Sequence, residues 1–79
     1  MSANLLAYEE VAEFLATLDP KRLLELRPSD VVQSRVEVLI DRKKNNILTS
    51  EEKYEIERYM ALEHLIALAK VRARVHLAL

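Results

Sequence analysis

A chain of 79 residues with no Cys and no Gly has room for one domain and excludes disulfides, thiolate metal sites and cysteine nucleophiles. Hydrophobic residues make up 51% and charged residues 32%, a globular mixture and not a disordered one. The formal net charge of −1 excludes nucleic-acid binding by bulk electrostatics.

Charge is unevenly spread. Residues 1–19 carry Glu9, Glu10, Glu13 and Asp19 and no Lys or Arg, residues 20–50 are net basic, and residues 51–79 balance. An acidic first helix pairing with basic residues within the fold is the expected outcome. Leu, Ala, Glu, Lys and Arg dominate, and these are the strong helix formers. With only two Pro and no glycine turns, hairpin-rich β architecture is not expected. The expected fold is therefore all-α, a small bundle of three to four helices with a long C-terminal helix.

The start, Met1-Ser2-Ala3-Asn4, has no basic region, and Glu9 and Glu10 interrupt the apolar stretch, so no signal peptide is read there. Absence of Cys fits a reducing cytoplasm, which is the expected location.

The first helix is expected over about 4–18. Leu5, Tyr8, Val11, Ala12, Leu15 and Leu18 follow the i, i+3, i+4, i+7 spacing of one inward face. Asp19-Pro20 then reads as a cap followed by a first-turn proline, starting a short helix over about 20–26. Arg27-Pro28 ends it, because the residue before Pro is pushed out of the helical region.

Ser29 is a good N-cap for a third helix over 30–44, with Val32, Val36, Leu39, Ile40 and the stem of Lys43 as its inner stripe. Val36 to Ile40 is rich in β-branched residues, and a strand is the alternative there. The helix is preferred because no second strand lies nearby to pair with it. Asn45-Asn46 makes the following turn, Asn taking the left-handed conformation that Gly would otherwise supply. Thr49-Ser50-Glu51-Glu52 is a capping box, and starts a fourth helix over about 50–78.

That last helix is apolar on two sides. Tyr59, Leu62, Ile66, Ala69, Ala73 and Leu77 form one stripe, and Ala61, Leu68, Val75 and Leu79 form another. A helix apolar on two sides must be covered on two sides. The short preceding helices cover one, and the other is either the centre of the bundle or an interface with another chain. The limited covering area of a small domain favours an interface, with a homodimer or another partner chain expected there. The expected interface is Tyr59, Leu62, Leu65, Ile66, Ala69 and Ala73, with Glu63, Lys70 and Arg74 at its rim. Charges within 59–79 make a membrane span too costly.

Sites for chemistry are hard to find. His64 and His76 are twelve residues apart on one helix, about 18 Å of rise, too far to share a metal. The carboxylates at 9–13 and 51–57 lie toward helix starts, where acids favour the helix dipole. From Asp41 to Glu52 the spacing of a calcium loop can be laid down, but Lys43 takes a ligand position and Asn46 stands where Gly is required. No metal, cofactor or enzymatic activity is expected. The basic clusters Arg42-Lys43-Lys44 and Lys70 to Arg74 offer a phosphate-contacting edge, through Arg42, Lys43, Lys44, Arg72 and Arg74, as the alternative to a protein partner.

Leu26-Arg27-Pro28-Ser29, Val32-Gln33 with Arg35-Val36, Leu48-Thr49 with Glu51-Glu52, Tyr59-Met60 with Leu62-Glu63-His64-Leu65, and Leu68-Ala69-Lys70 with Arg72-Ala73 together resemble a family of short helical bacterial proteins. These are encoded beside nucleases of the PIN or HNH type, and some are antitoxin-like. The resemblance covers about residues 18–77 and is most specific from Leu62 to Arg74. Family members usually carry Gly in the turn before the capping box, where this chain has Asn45-Asn46-Ile47. The resemblance implies a nuclease as partner and carries over no catalytic residue.

Overall fold

The computed structural model describes residues 2–79 as four helices: α1 (Ala3–Leu18), α2 (Pro20–Glu25), α3 (Asp30–Lys44) and α4 (Ser50–Ala78). No strand occurs among the described residues, and Val36 to Ile40 lies inside α3.

The helix ends follow local chemistry. The Ser2 hydroxyl accepts from the Leu5 N–H at 3.2 Å, and Asp19 Oδ1 accepts from the Arg22 N–H at 3.1 Å. Ser29 Oγ accepts from the Val32 N–H at 3.3 Å. Each side chain satisfies a backbone donor that the first helical turn leaves unpaired. At the end of α3 the Ile47 N–H donates to the Arg42 carbonyl and the Asn46 N–H to the Lys43 carbonyl, both near 3 Å. Asn46 has φ of 59°, the left-handed residue of a Schellman cap. The capping box closes reciprocally: Glu52 N–H to Thr49 Oγ1 at 3.1 Å, and Thr49 N–H to Glu52 Oε1 at 3.0 Å.

The described residues form two compact units. One comprises residues up to Leu26 with Leu62–Leu79, and the other is Arg27–Ala61. The second is a helical hairpin of α3 and the first turns of α4. Leu39 and Ile56 are its buried apolar side chains, and Glu52 is buried with them. Arg42 and Arg35 reach Glu52 across the hairpin, and Arg35 grips Glu55 through two bonds of 2.8 and 2.9 Å. The inner stripe of α3 is narrower than expected. Leu39 is buried and Val36 half-buried, whereas Val32, Ile40 and Lys43 are exposed. A single facing helix covers about one row of side chains, and the adjoining rows stay in solvent.

The first unit joins α1 and α2 to the last turns of α4. Tyr8 meets His64 edge to face, Arg72 binds Glu9 and Glu13, and His76 Nε2 meets Glu13. Partner numbers rise together on both helices, so α1 and α4 run parallel here. In this register Ala12 and Ala16 fall about level with Ala69 and Ala73, and all four are fully buried. Alanines four apart on each helix let the two backbones approach closely, with the charged pairs along one edge. The expected inward face of α1 is corrected accordingly. Tyr8 and Leu15 are half-buried, but Leu5, Val11 and Leu18 are exposed.

Candidate interaction surface

The fully buried side chains of the first unit are alanines, and Leu15, Leu23, Leu24, Leu65, Ile66 and Leu68 are half-buried around them. Units of this length lie near or below the about 40 residues at which a chain without disulfide or metal needs help to hold its fold. Large apolar side chains remain on the outside instead.

One continuous patch lies on α1. Ala7, Val11, Phe14 and Leu18 are spaced four, three and four residues apart, so they form one stripe along the helix. All four are exposed, Phe14 at 62% and Leu18 at 65%. A shallow depression lined by Asn4, Ala7, Tyr8, Val11 and Leu65 borders one end, and another lined by Leu15, Leu18, Asp19, Arg22, Leu23 and Leu26 borders the other. Glu10 flanks the stripe and is exposed. Sequence periodicity alone set Val11 and Leu18 inward and passed over Phe14. The 7, 11, 14, 18 spacing was the available signal, and it competes in α1 with the 8, 12, 15 stripe.

The expected interface on α4 is largely used within the chain. Ala69 and Ala73 are fully buried in the first unit, where an alanine with no accessible surface has nothing to offer a second molecule. Leu65 and Ile66 are half-buried there, and Tyr59 is half-buried in the hairpin. Leu62 alone of the six is more than half exposed, at 53%. At the expected rim, Lys70 Nζ donates to the Leu26 carbonyl at 2.7 Å and so caps the end of α2. Glu63 and Arg74 are exposed. The outward side of this part of α4 carries Ala67, Val71, Val75 and Ala78, all exposed.

The candidate phosphate contacts divide in the same way. Arg72 is held between Glu9 and Glu13, with a 2.7 Å bond to the latter, and Arg42 is paired with Glu52. Lys43, Lys44 and Arg74 are exposed. These pairings hold the carboxylates charged. Bonds from His76 and then Arg72 lower Glu13 below the ordinary value of 4.5. The Thr49 backbone N–H and the nearby Arg42 lower Glu52, and Arg35 lowers Glu55. Arg35 and Arg72 are raised in turn by the carboxylates they bind, Glu55 for the first and Glu13 then Glu9 for the second.

Among the described residues no three His, Asp or Glu side chains converge where they could hold a metal ion. No helix among them is long and apolar enough to cross a membrane. No protein-family model, no curated protein and no solved structure matches the chain.

Proposed function

We propose that this chain is a small non-catalytic protein-interaction module of the cytoplasm, and that the outward stripe of α1 docks on a partner protein. The observation that carries this reading is the exposed row Ala7, Val11, Phe14 and Leu18 on a unit whose own core holds alanines. An aromatic anchor within an apolar stripe, bordered by depressions and a charged rim, is the usual anatomy of a helix-mediated contact.

The partner class proposed is a nuclease, in the manner of antitoxin-like proteins. The resemblance around Leu62 to Arg74 supports it. Electrostatics add support, because a nucleic-acid enzyme presents Lys and Arg to its substrate, and the exposed carboxylate of Glu10 lies beside the middle of the α1 stripe, with Asp19 and Arg22 at its far end. Direct nucleic-acid binding is the weaker reading, since Arg42 and Arg72 are already committed to carboxylates of the same chain.

Co-expression with the protein encoded by the neighbouring gene tests the proposal. The two are expected to elute as one complex and the nuclease activity to fall. Phe14→Asp should weaken the complex by about 30-fold or more, the scale of a lost aromatic anchor, without loss of helicity, because Phe14 is outside the core. Absence of a complex, or an affinity indifferent to Phe14→Asp, would overturn it.

A further inference from the structure

We infer that a second copy of this chain packs antiparallel against the outward face of the last turns of α4, with Glu63 of each copy bound to Arg74 of the other. The inference extends the interaction-module reading to a second surface and rests on it only for the premise that exposed apolar faces of this chain serve contact.

Ala67, Val71, Val75 and Ala78 are spaced four, four and three residues apart and so share one side of the helix. Val71 and Val75 are each 55% exposed, on the side away from the buried Ala69 and Ala73. Small and β-branched side chains in such a row let two helices approach closely. Glu63 and Arg74 are eleven residues apart, just over three whole turns. They therefore border the Ala67 and Val71 part of this row on one edge, Glu63 a turn before Ala67 and Arg74 just after Val71, with Val75 and Ala78 beyond. Both are exposed, and neither makes an ion pair within the described residues, unlike Arg35, Arg42 and Arg72.

An acid and a base placed so are self-complementary about a two-fold axis. With the axis at the level of residues 68–69, Glu63 of one copy stands opposite Arg74 of the other, twice, and Ala67 lies against Val71 across the seam. A closed, isologous contact of this kind is the commonest form of self-association. A parallel two-fold would instead put the two Glu63 on opposite edges of the seam, and the two Arg74 likewise, so that neither side chain meets a charged partner. The α1 stripe lacks this property. Its edge carries Glu10, with Asp19 and Arg22 in the depression at its far end, and a two-fold axis through its middle would bring the two Glu10 onto the same edge, within about two turns of each other. Charge therefore assigns the α4 face to a second copy and leaves the α1 face for a different protein.

Sedimentation equilibrium of the full chain, with Glu63→Arg, Arg74→Glu and the double variant, tests the inference. The wild type is expected to be a dimer. Each single reversal turns two attractive contacts into two repulsive ones and should weaken dimerisation about 10- to 30-fold. The double variant restores both pairs with their signs exchanged and should return to within about 3-fold of wild type. Circular dichroism should be the same for all four proteins, since both side chains are outside the core. A monomeric wild type, a dimer indifferent to the single reversals, or a double variant no tighter than the singles would each overturn the inference. Binding of the wild type and of Phe14→Asp to the neighbouring-gene product, measured alongside, reports separately on the α1 face. Loss of self-association with that binding intact refutes the dimer alone, and the converse refutes only the partner reading.

Discussion

Leu39→Ala should lower the stability of the chain by about 2–5 kcal/mol, the range for truncating a buried leucine. Leu39 is the one large side chain that is fully buried among the described residues, at 1% exposure. A chain of this length has about 4–12 kcal/mol in all, so the loss is a large share of the total. The thermal midpoint should fall by at least about 10 °C, read by circular dichroism at fixed concentration. Ile40→Ala removes a side chain of the same size one position on, but 41% exposed, and should cost well under half as much. Equal effects at the two positions would refute the α3 stripe described above and favour the broader one that periodicity suggests.

Ala73→Leu should be nearly as damaging, for the opposite reason. Ala73 has no accessible surface, and three added heavy atoms must force α1 and α4 apart. Overpacking of this kind costs about 1–3 kcal/mol. The separation would also pull Glu13 away from Arg72 and His76, which bracket position 73 on α4. Amide exchange in α1 should therefore accelerate ahead of exchange in α3. The same exchange at Ala61, which is exposed, should change stability by no more than about 0.5 kcal/mol. An Ala73→Leu protein with unaltered melting would mean that α1 and α4 are not in close contact.

The local features of this fold were legible in the sequence because their causes are local. Asp19, Ser29 and the Thr49–Glu52 pair each cap a backbone N–H three residues away, and Asn46 takes a conformation that its own side chain tolerates. No distant residue is needed to decide any of them. The length of α4 and the all-α class follow from the same kind of information.

Which apolar row turns inward was less legible. Two rows compete in α1, and hydrophobicity favours the one with more large side chains. The structure buries Ala12, which the expected face contains, and Ala16, which it does not, and sets Glu9 and Glu13 against Arg72 and His76 while alanines face alanines. That choice depends on residues 56 to 63 positions away, which periodicity within one helix does not contain. The two apolar sides of α4 have a related explanation. Ile56 serves the hairpin core, and Ala69 and Ala73 serve the first unit. Of the two stripes read in the sequence, the first supplies Ala69 and Ala73 to a core, whereas Ala61, Val75 and Leu79 of the second are exposed. The remainder, Val71 and Val75 on α4 and Phe14 and Leu18 on α1, stays exposed.

That remainder is the basis for treating the chain as a module completed by other molecules. The most direct test is the thermal midpoint of the isolated wild-type chain over a hundredfold range of protein concentration. If a second copy covers part of this surface, folding is coupled to association and the midpoint must rise with concentration. We expect a steady rise of several degrees across that range, with a dimeric mass at the upper end. A midpoint independent of concentration, with a monomeric mass throughout and full cooperativity, would contradict the account.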